Sequence, residues 1–186
     1  PMDAAESMRQ FVGFTIEQTV PVIEARLGRA VPPGWVETVR GRIITELSRE
    51  LALMPGVREV LDAVAQLGLP SRVASNSSRR EMRAKFARTG LDALLERAHS
   101  ADEVARGKPA PDVFLAAAAA EGVPPGACVV IEDSVPGATA ARAAGMACVG
   151  LAPHGDGASL RQVGANVIRS LFDLPPLLRA AMQPAA

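Results

Sequence analysis

The stretch "CVVIEDSVPGATAARAAG", Cys128 to Gly145, decides how the chain is read. An apolar run, Cys128 to Ile131, ends abruptly in two acids, Glu132 and Asp133. A turn and an alanine-rich helical pattern follow, from Pro136 to Ala144. A short, continuously apolar, β-branched run bounded by a turn is the pattern of a strand buried on both faces. Adjacent carboxylates repel each other. A hard cation relieves that repulsion, and Mg²⁺ favours one or two carboxylates completed by waters and phosphate oxygens. The pair also reads as an acidic helix start set against the N-terminal dipole.

The same rhythm repeats outward from this stretch. Helix Val57 to Leu67 leads into an apolar strand, Ser71 to Ala74. Helix Ser78 to Arg88 leads to a weak strand near Arg97 to His99. Helix Pro111 to Glu121 carries five alanines, Ala116 to Ala120, suited to close packing on a sheet. Beyond the acids come strand Ala147 to Leu151, a strand-like piece Asn166 to Ile168 and helix Leu171 to Met182. Helices alternating with short apolar strands predict a parallel α/β core with both sheet faces covered.

The first third is different. Asp3 to Phe11 is a short amphipathic piece. Thr15 starts a helix, with Gln18 three residues on as its capping-box partner. Ile16, Val20, Ile23 and Leu27 fall on one face of that helix. "GRAVPPG" breaks it, and Trp35 to Leu53 forms another, with Val39, Ile43, Leu47 and Leu51 in register. "MPG", Met54 to Gly56, punctuates the chain. The expected division is a helical cap over residues 1–53 and an α/β core over 54–186.

Composition sets the outer limits. The 186 residues are 48% hydrophobic and 22% charged, with 20 basic and 20 acidic side chains. That is an ordinary globular profile. Balanced charge, with a pI near 7.3, argues against a general electrostatic role on nucleic acid or membrane. No apolar run approaches the ~18 residues of a membrane span, and no secretory signal pattern opens the chain. A cytoplasmic location is expected. The two cysteines, Cys128 and Cys148, sit in apolar runs and read as small buried hydrophobes in a reducing compartment.

In open parallel α/β sheets, ligands bind beyond the carboxyl ends of the strands. "SNSSRRE", Ser75 to Glu81, follows the first strand. Its hydroxyls and the free N–H groups of a helix start suit an anion such as phosphate; plain capping by Ser77 or Ser78 accounts for them equally well. "ADEVARGKPAPD", Ala101 to Asp112, follows the second. Prolines stiffen the backbone around Lys108, which reads as a lysine that neutralises a phosphate or as a surface lysine. Its "GK" is no nucleotide P-loop, because Pro109 stands where Ser or Thr is required. "APHGDGAS", Ala152 to Ser159, follows the fourth, where His154 reads as a loop histidine and Gly155-x-Gly157 lacks the third glycine of a dinucleotide fingerprint.

Taken together these strand ends resemble the haloacid dehalogenase superfamily, in its helical-cap subgroup of β-phosphoglucomutase and phosphoglycolate phosphatase. "VASNSS" resembles the second motif, "GKPAPDVF" the third and "VVIEDSVPGATAARAAGM" the fourth. The resemblance runs from about Phe11 to Leu174. It implies a Rossmann-like parallel-sheet core with a helical cap, and a Mg²⁺-dependent hydrolase acting on the phosphate monoester of a small metabolite. It implies that Ser75 and Lys108 are catalytic groups on the phosphate, with Asn76 and Thr15 also binding substrate. It implies that Asp133 is a direct Mg²⁺ ligand and Glu132 an accessory one. A monomer is expected. The cap arginines Arg40, Arg42 and Arg49 read as an anion contact or as a solvated face.

The family's first motif, D-x-D-G, does not occur in this sequence. It supplies the nucleophilic aspartate at the end of a central strand. The chain begins at Pro1 in a helical pattern, so the strand and the aspartate are expected about thirty residues' worth of chain upstream. A parallel sheet without that strand has two unpaired inner edges. The given chain alone is expected to be inactive and to bind Mg²⁺ weakly. A sugar phosphomutase is the alternative reading within the enzyme class. An inactive phosphate-binding module is the alternative outside it.

Overall fold

The computed structural model describes residues 3–182; residues 1–2 and 183–186, the outer ends of the two expected segments, lie outside them. Three helices come first, α1 (Ala4–Phe11), α2 (Ile16–Leu27) and α3 (Trp35–Glu50). Thr15 caps α2 in the predicted box. Its Oγ1 accepts from the Gln18 N–H at 3.2 Å, and Gln18 Oε1 accepts from the Thr15 N–H at 2.8 Å. α3 stops three residues short of Leu53, with Leu51 already extended. Pro55 disfavours helical backbone just before it, which keeps this connection extended. The apolar stripes of α2 and α3 are less covered than their periodicity predicts. Ile16, Val20 and Ile23 are half-buried, Leu27 is exposed, and no residue of α3 is fully buried.

The rest alternates helix and strand. It runs α4 (Val57–Gln66), β1 (Val73–Ser75), α5 (Arg79–Thr89), β2 (Ala98–Ser100) and α6 (Asp112–Glu121). It continues β3 (Val129–Glu132), α7 (Val135–Ala143), β4 (Ala147–Leu151), α8 (Ala158–Gln162), β5 (Asn166–Ile168) and α9 (Leu174–Ala181). The predicted helix Leu171 to Met182 is divided: Ser170 caps a 3₁₀ turn, Leu171–Asp173, before prolines in the first turn of α9 restart the helix. The first three strands run one or two residues further than hydrophobicity indicates. Ser75 pairs with Ser100 and Glu132 with Gly150, so polar residues take the last rungs of the ladders.

All strand pairs are parallel, but they form two sheets. β1 pairs with β2, and β3, β4 and β5 lie in that order. Among the described residues nothing pairs β1 with β3. The main core lies between α6, α7 and the second sheet, with Val113, Ala138, Ala140 and Ala141 fully buried. Alanines there let α7 approach the strands closely. Leu151, Ile168, Leu171 and Leu174 form a second cluster.

β3 departs from the expectation of two covered faces. Val130 is buried, while Val129 is 46% and Ile131 37% exposed. The cause is the split: the outer edge of β3 has no neighbouring strand to bring packing across it. An apolar groove of about 470 Å³ runs there, walled by Val60 and Val64 of α4, Val73 of β1, Phe114 of α6, and Val129 and Ile131. Both cysteines are free; Cys148 is buried, and Cys128 is half-buried, less than expected. Burial, reinforced by the charge of Glu132, pushes the Cys148 thiol up to about 11. Among the described residues no helix is long and apolar enough to cross a membrane.

Candidate active site

The turn after β1 divides its serines by task. Ser78 caps α5: its Oγ accepts from the Glu81 N–H at 3.2 Å, and Glu81 Oε2 accepts from the Ser78 N–H at 2.6 Å. Ser75 is thereby left out of the cap. Its Oγ accepts only from the Ser77 N–H, at 3.0 Å, which leaves the hydroxyl proton available to an anion.

Asn76 ties three segments together. Its Oδ1 accepts from the Lys108 N–H at 2.8 Å, and its Nδ2 donates to the Lys108 carbonyl at 3.0 Å and the Gly13 carbonyl at 2.8 Å. Gln18 Nε2 donates to the same Lys108 carbonyl at 3.0 Å. The side-chain amide is thus engaged with backbone, and any phosphate contact from this residue falls to its own main chain. Gly107 is glycine for a steric reason: a Cβ there would lie 2.7 Å from Asn76 Oδ1.

Lys108 is buried, at 5% exposure. Its Nζ is ion-paired with Glu132 Oε1 and sits 4.6 Å from the centroid of the Phe114 ring. Both contacts hold a charge away from bulk water. The second oxygen of Glu132 accepts from the N–H groups of Asp133 and Ser134, each at 3.2 Å, and from Ser134 Oγ at 2.8 Å. Gly137, in the first turn of α7, makes room for this carboxylate: a Cβ there would lie 2.0 Å from the Glu132 carboxyl carbon. Glu132 therefore holds Lys108 and the turn.

Asp133 is the acid left over. Among the described residues its carboxylate accepts no hydrogen bond from another side chain, and it lies in the pocket wall. It is open to the crevice, yet the protein around it displaces hydration. That desolvation, with the Glu132 charge beside it, raises its carboxyl above the ordinary range, partly offset by Lys108 and Lys85. No group of three or more potential metal ligands occurs among the described residues.

The helical layer closes the other side. The turn "VGFT", Val12 to Thr15, faces the strand ends. Gly13 has φ +89°, and a Cβ on it would lie 2.8 Å from Ser134 Oγ. Val12, Phe14, Ile16 and Ile43 give an apolar wall to a pocket of about 400 Å³, whose floor includes Ser75, Lys108 and Asp133. Thr15 lines the pocket too, with its oxygen engaged in the α2 cap.

Two cations in this pocket were not assigned to it from sequence. Arg40 of α3 reaches in, held by Glu17, by Glu37 at 3.4 Å and by Glu81 at 3.6 Å. Arg42 and Arg49 stay on the exposed face of the same helix. Lys85 of α5 donates to Ser77 Oγ at 2.7 Å. The spacing Ser78, Glu81, Lys85 places it on the capped face of α5, a signal present in the sequence. His154 is exposed and lies outside the pocket.

A family profile of haloacid dehalogenase-like hydrolases matches residues 11–145. The chain belongs to that family. This haloacid dehalogenase-like chain is 37% identical over 172 residues to a β-phosphoglucomutase of Mycobacterium bovis, a match covering 84% of the chain and 64% of that protein. It is 40% identical over 105 residues to the protein CbbY of Rhodobacter capsulatus, covering 55% of the chain and 46% of that protein. It thus spans less than two thirds of the length of both curated relatives. A solved hydrolase of the same family from Deinococcus radiodurans, with bound phosphate and sodium, superposes with a TM-score of 0.74 at 30% identity; the match covers 100% of this chain and 84% of that one.

Proposed function

We propose that this chain is the larger part of a Mg²⁺-dependent phosphatase that hydrolyses the phosphate monoester of a small metabolite through an aspartyl-phosphate. The observation that carries this is convergence. A free hydroxyl donor (Ser75), a buried cation (Lys108) and an unengaged carboxylate (Asp133) come from three successive strand ends onto one pocket of about 400 Å³.

Ser75 donates its hydroxyl proton to one phosphoryl oxygen. Lys108 offsets charge on the others, from a position that Glu132 and Phe114 define and water scarcely reaches. Asn76 and Gln18 hold the Lys108 backbone, so the ammonium needs little reorganisation when the substrate arrives. Thr15 and the apolar wall of the helical cap (residues 1–53) meet the leaving group and exclude water. Asp133 fits Mg²⁺ by its donor chemistry, an oxygen ligand whose charge is disfavoured until a cation neutralises it. When bound, Mg²⁺ would offset charge on the phosphate and orient it. Glu132 supports that position by fixing the turn that bears Asp133.

The nucleophilic aspartate belongs to a segment outside the 186 residues. The open groove between β1 and β3 supports this, since a central strand placed there would end beside Ser75 and Asp133. The test uses the protein with its upstream residues present. It is expected to release phosphate from an aryl phosphate only with Mg²⁺, and Asp133→Asn is expected to abolish turnover. Unchanged rates in that variant overturn the metal assignment.

The similarity to a β-phosphoglucomutase supports a second reading, a sugar phosphomutase with the same core residues. Incubation with a hexose 1-phosphate separates the two: free phosphate marks a phosphatase, isomerised sugar phosphate a mutase. Absence of both reactions, in protein whose upstream segment also lacks D-x-D-G, favours a phosphate-binding module.

A further inference from the structure

Lys85 is the cation in the pocket that the proposed phosphoryl chemistry leaves unused. The other two are neutralised by neighbours: Lys108 by Glu132, and Arg40 by Glu17, Glu37 and Glu81. Lys85 has no carboxylate within ion-pair distance among the described residues. Its one hydrogen bond goes to Ser77 Oγ at 2.7 Å, so two of its three donors remain.

Its surroundings are fixed. The Ser77 N–H is held by Ser75 Oγ at 3.0 Å, and the Ser77 carbonyl accepts from the fully buried Ser100 Oγ at 2.8 Å. Ser77 Oγ accepts from Lys85 and keeps its own proton to give. An ammonium and a hydroxyl are therefore presented together, on a stiff backbone, at the pocket wall formed by α5. The two acids that attract Lys85 are otherwise committed. Glu81 serves the Ser78 cap and Arg40, and Asp133 is the proposed Mg²⁺ ligand. Burial lowers the Lys85 ammonium below its ordinary range, as expected where the charge lacks full compensation. An anion in the pocket supplies that compensation.

We propose that Lys85 and Ser77 form a second anion subsite, which selects substrates bearing a carboxylate or a second phosphate besides the phosphate that is removed. The proposal rests on the phosphatase reading and narrows its substrate class. The competing role, an additional charge on the transferred phosphoryl group itself, makes a different prediction.

Non-hydrolysable probes separate them by calorimetry on the full-length protein with Mg²⁺ present. Propylphosphonate carries one anionic group, 3-phosphonopropionate adds a carboxylate, and propane-1,3-bisphosphonate adds a second phosphonate. At least one of the last two should bind about tenfold or more tighter than propylphosphonate, the scale of a charge-assisted hydrogen bond. Whichever does so identifies the second anion. Lys85→Met should remove most of that gain, Lys85→Arg should keep it, and Ser77→Ala should reduce it while leaving the lysine in place. Equal affinity for all three probes overturns the proposal, and so does a Lys85→Met loss that is the same for all three. If no phosphonate binds and Lys108→Met changes nothing, the phosphoryl pocket itself is wrong, a distinct failure.

Discussion

The side-chain amide of Asn76 grips the backbone of Lys108 from both sides, accepting from its N–H at 2.8 Å and donating to its carbonyl at 3.0 Å. The same Nδ2 reaches the Gly13 carbonyl at 2.8 Å, across to the turn between α1 and α2. One amide thus sets the buried lysine and seats the helical layer over it. Asn76→Asp nearly preserves shape but replaces two donated bonds with oxygen facing oxygen. It should be more damaging than Asn76→Ala, which only empties the position. Each should lower unfolding stability by about 1–3 kcal/mol in urea titrations. Asn76→Asp with wild-type stability contradicts the shared-amide account.

Gly137→Ala sets two effects against each other. Gly137 lies in α7, where alanine is favoured over glycine by up to ~1 kcal/mol. The new Cβ, however, would lie 2.0 Å from the Glu132 carboxyl carbon. That carboxylate is pinned by Lys108 and the Ser134 hydroxyl and cannot simply swing aside. Sterics should prevail, with a net loss of about 1–3 kcal/mol. The structural readout is the Glu132–Lys108 contact in a crystal of the variant. A gain in stability would show that propensity decides here.

The Glu132–Lys108 pair itself is a candidate for a double-mutant cycle. Glu132→Gln leaves a buried ammonium without its carboxylate, and Lys108→Met leaves a nearly buried carboxylate without its ammonium. Either change should cost about 3–5 kcal/mol. The double variant should cost less than the sum, because neither uncompensated charge remains. Urea unfolding of the four proteins gives the coupling energy. Simple additivity is the outcome that denies the pair its direct role.

The features read directly from sequence are those carried by short-range patterns. The apolar runs around Val130, Val149 and Val167 mark parallel strands because burial on both sides selects continuous hydrophobicity. Their ends were read early because Ser75, Ser100 and Glu132 are polar, and a hydrophobic pattern is blind to a ladder that continues through polar residues. Ser75, Lys108 and Asp133 were legible because each follows a strand, where the fold gathers ligands. Lys85 and Arg40 were not placed in the pocket. They sit on helices rich in charge, where a solvated face has the same composition, and only the packing of α3 on α5 brings them together. The exposed side chains of β3 follow from a missing neighbour, which the lack of D-x-D-G signalled and the local sequence of β3 did not.

Asp133 links metal binding to a cost in stability. Desolvation first, and the Glu132 charge second, hold its carboxyl above the ordinary value near ~3.9. A carboxyl raised by folding favours the folded state while protonated, below the ordinary value. That contribution is lost as pH rises through the raised value. At neutral pH the ionised group is therefore a liability in metal-free protein. Asp133→Asn should raise the melting temperature at pH 7 in chelator by about 1–2 °C, a small gain because the group is partly open to solvent. The advantage should shrink towards pH 4 and vanish below it. MgCl2 added to the full-length protein should reverse the order at pH 7, stabilising the wild type by mass action and leaving the variant unmoved. An Asp133→Asn protein that melts lower than wild type at pH 7 in chelator refutes the raised carboxyl. Equal stabilisation of both proteins by MgCl2 refutes Asp133 as the ligand.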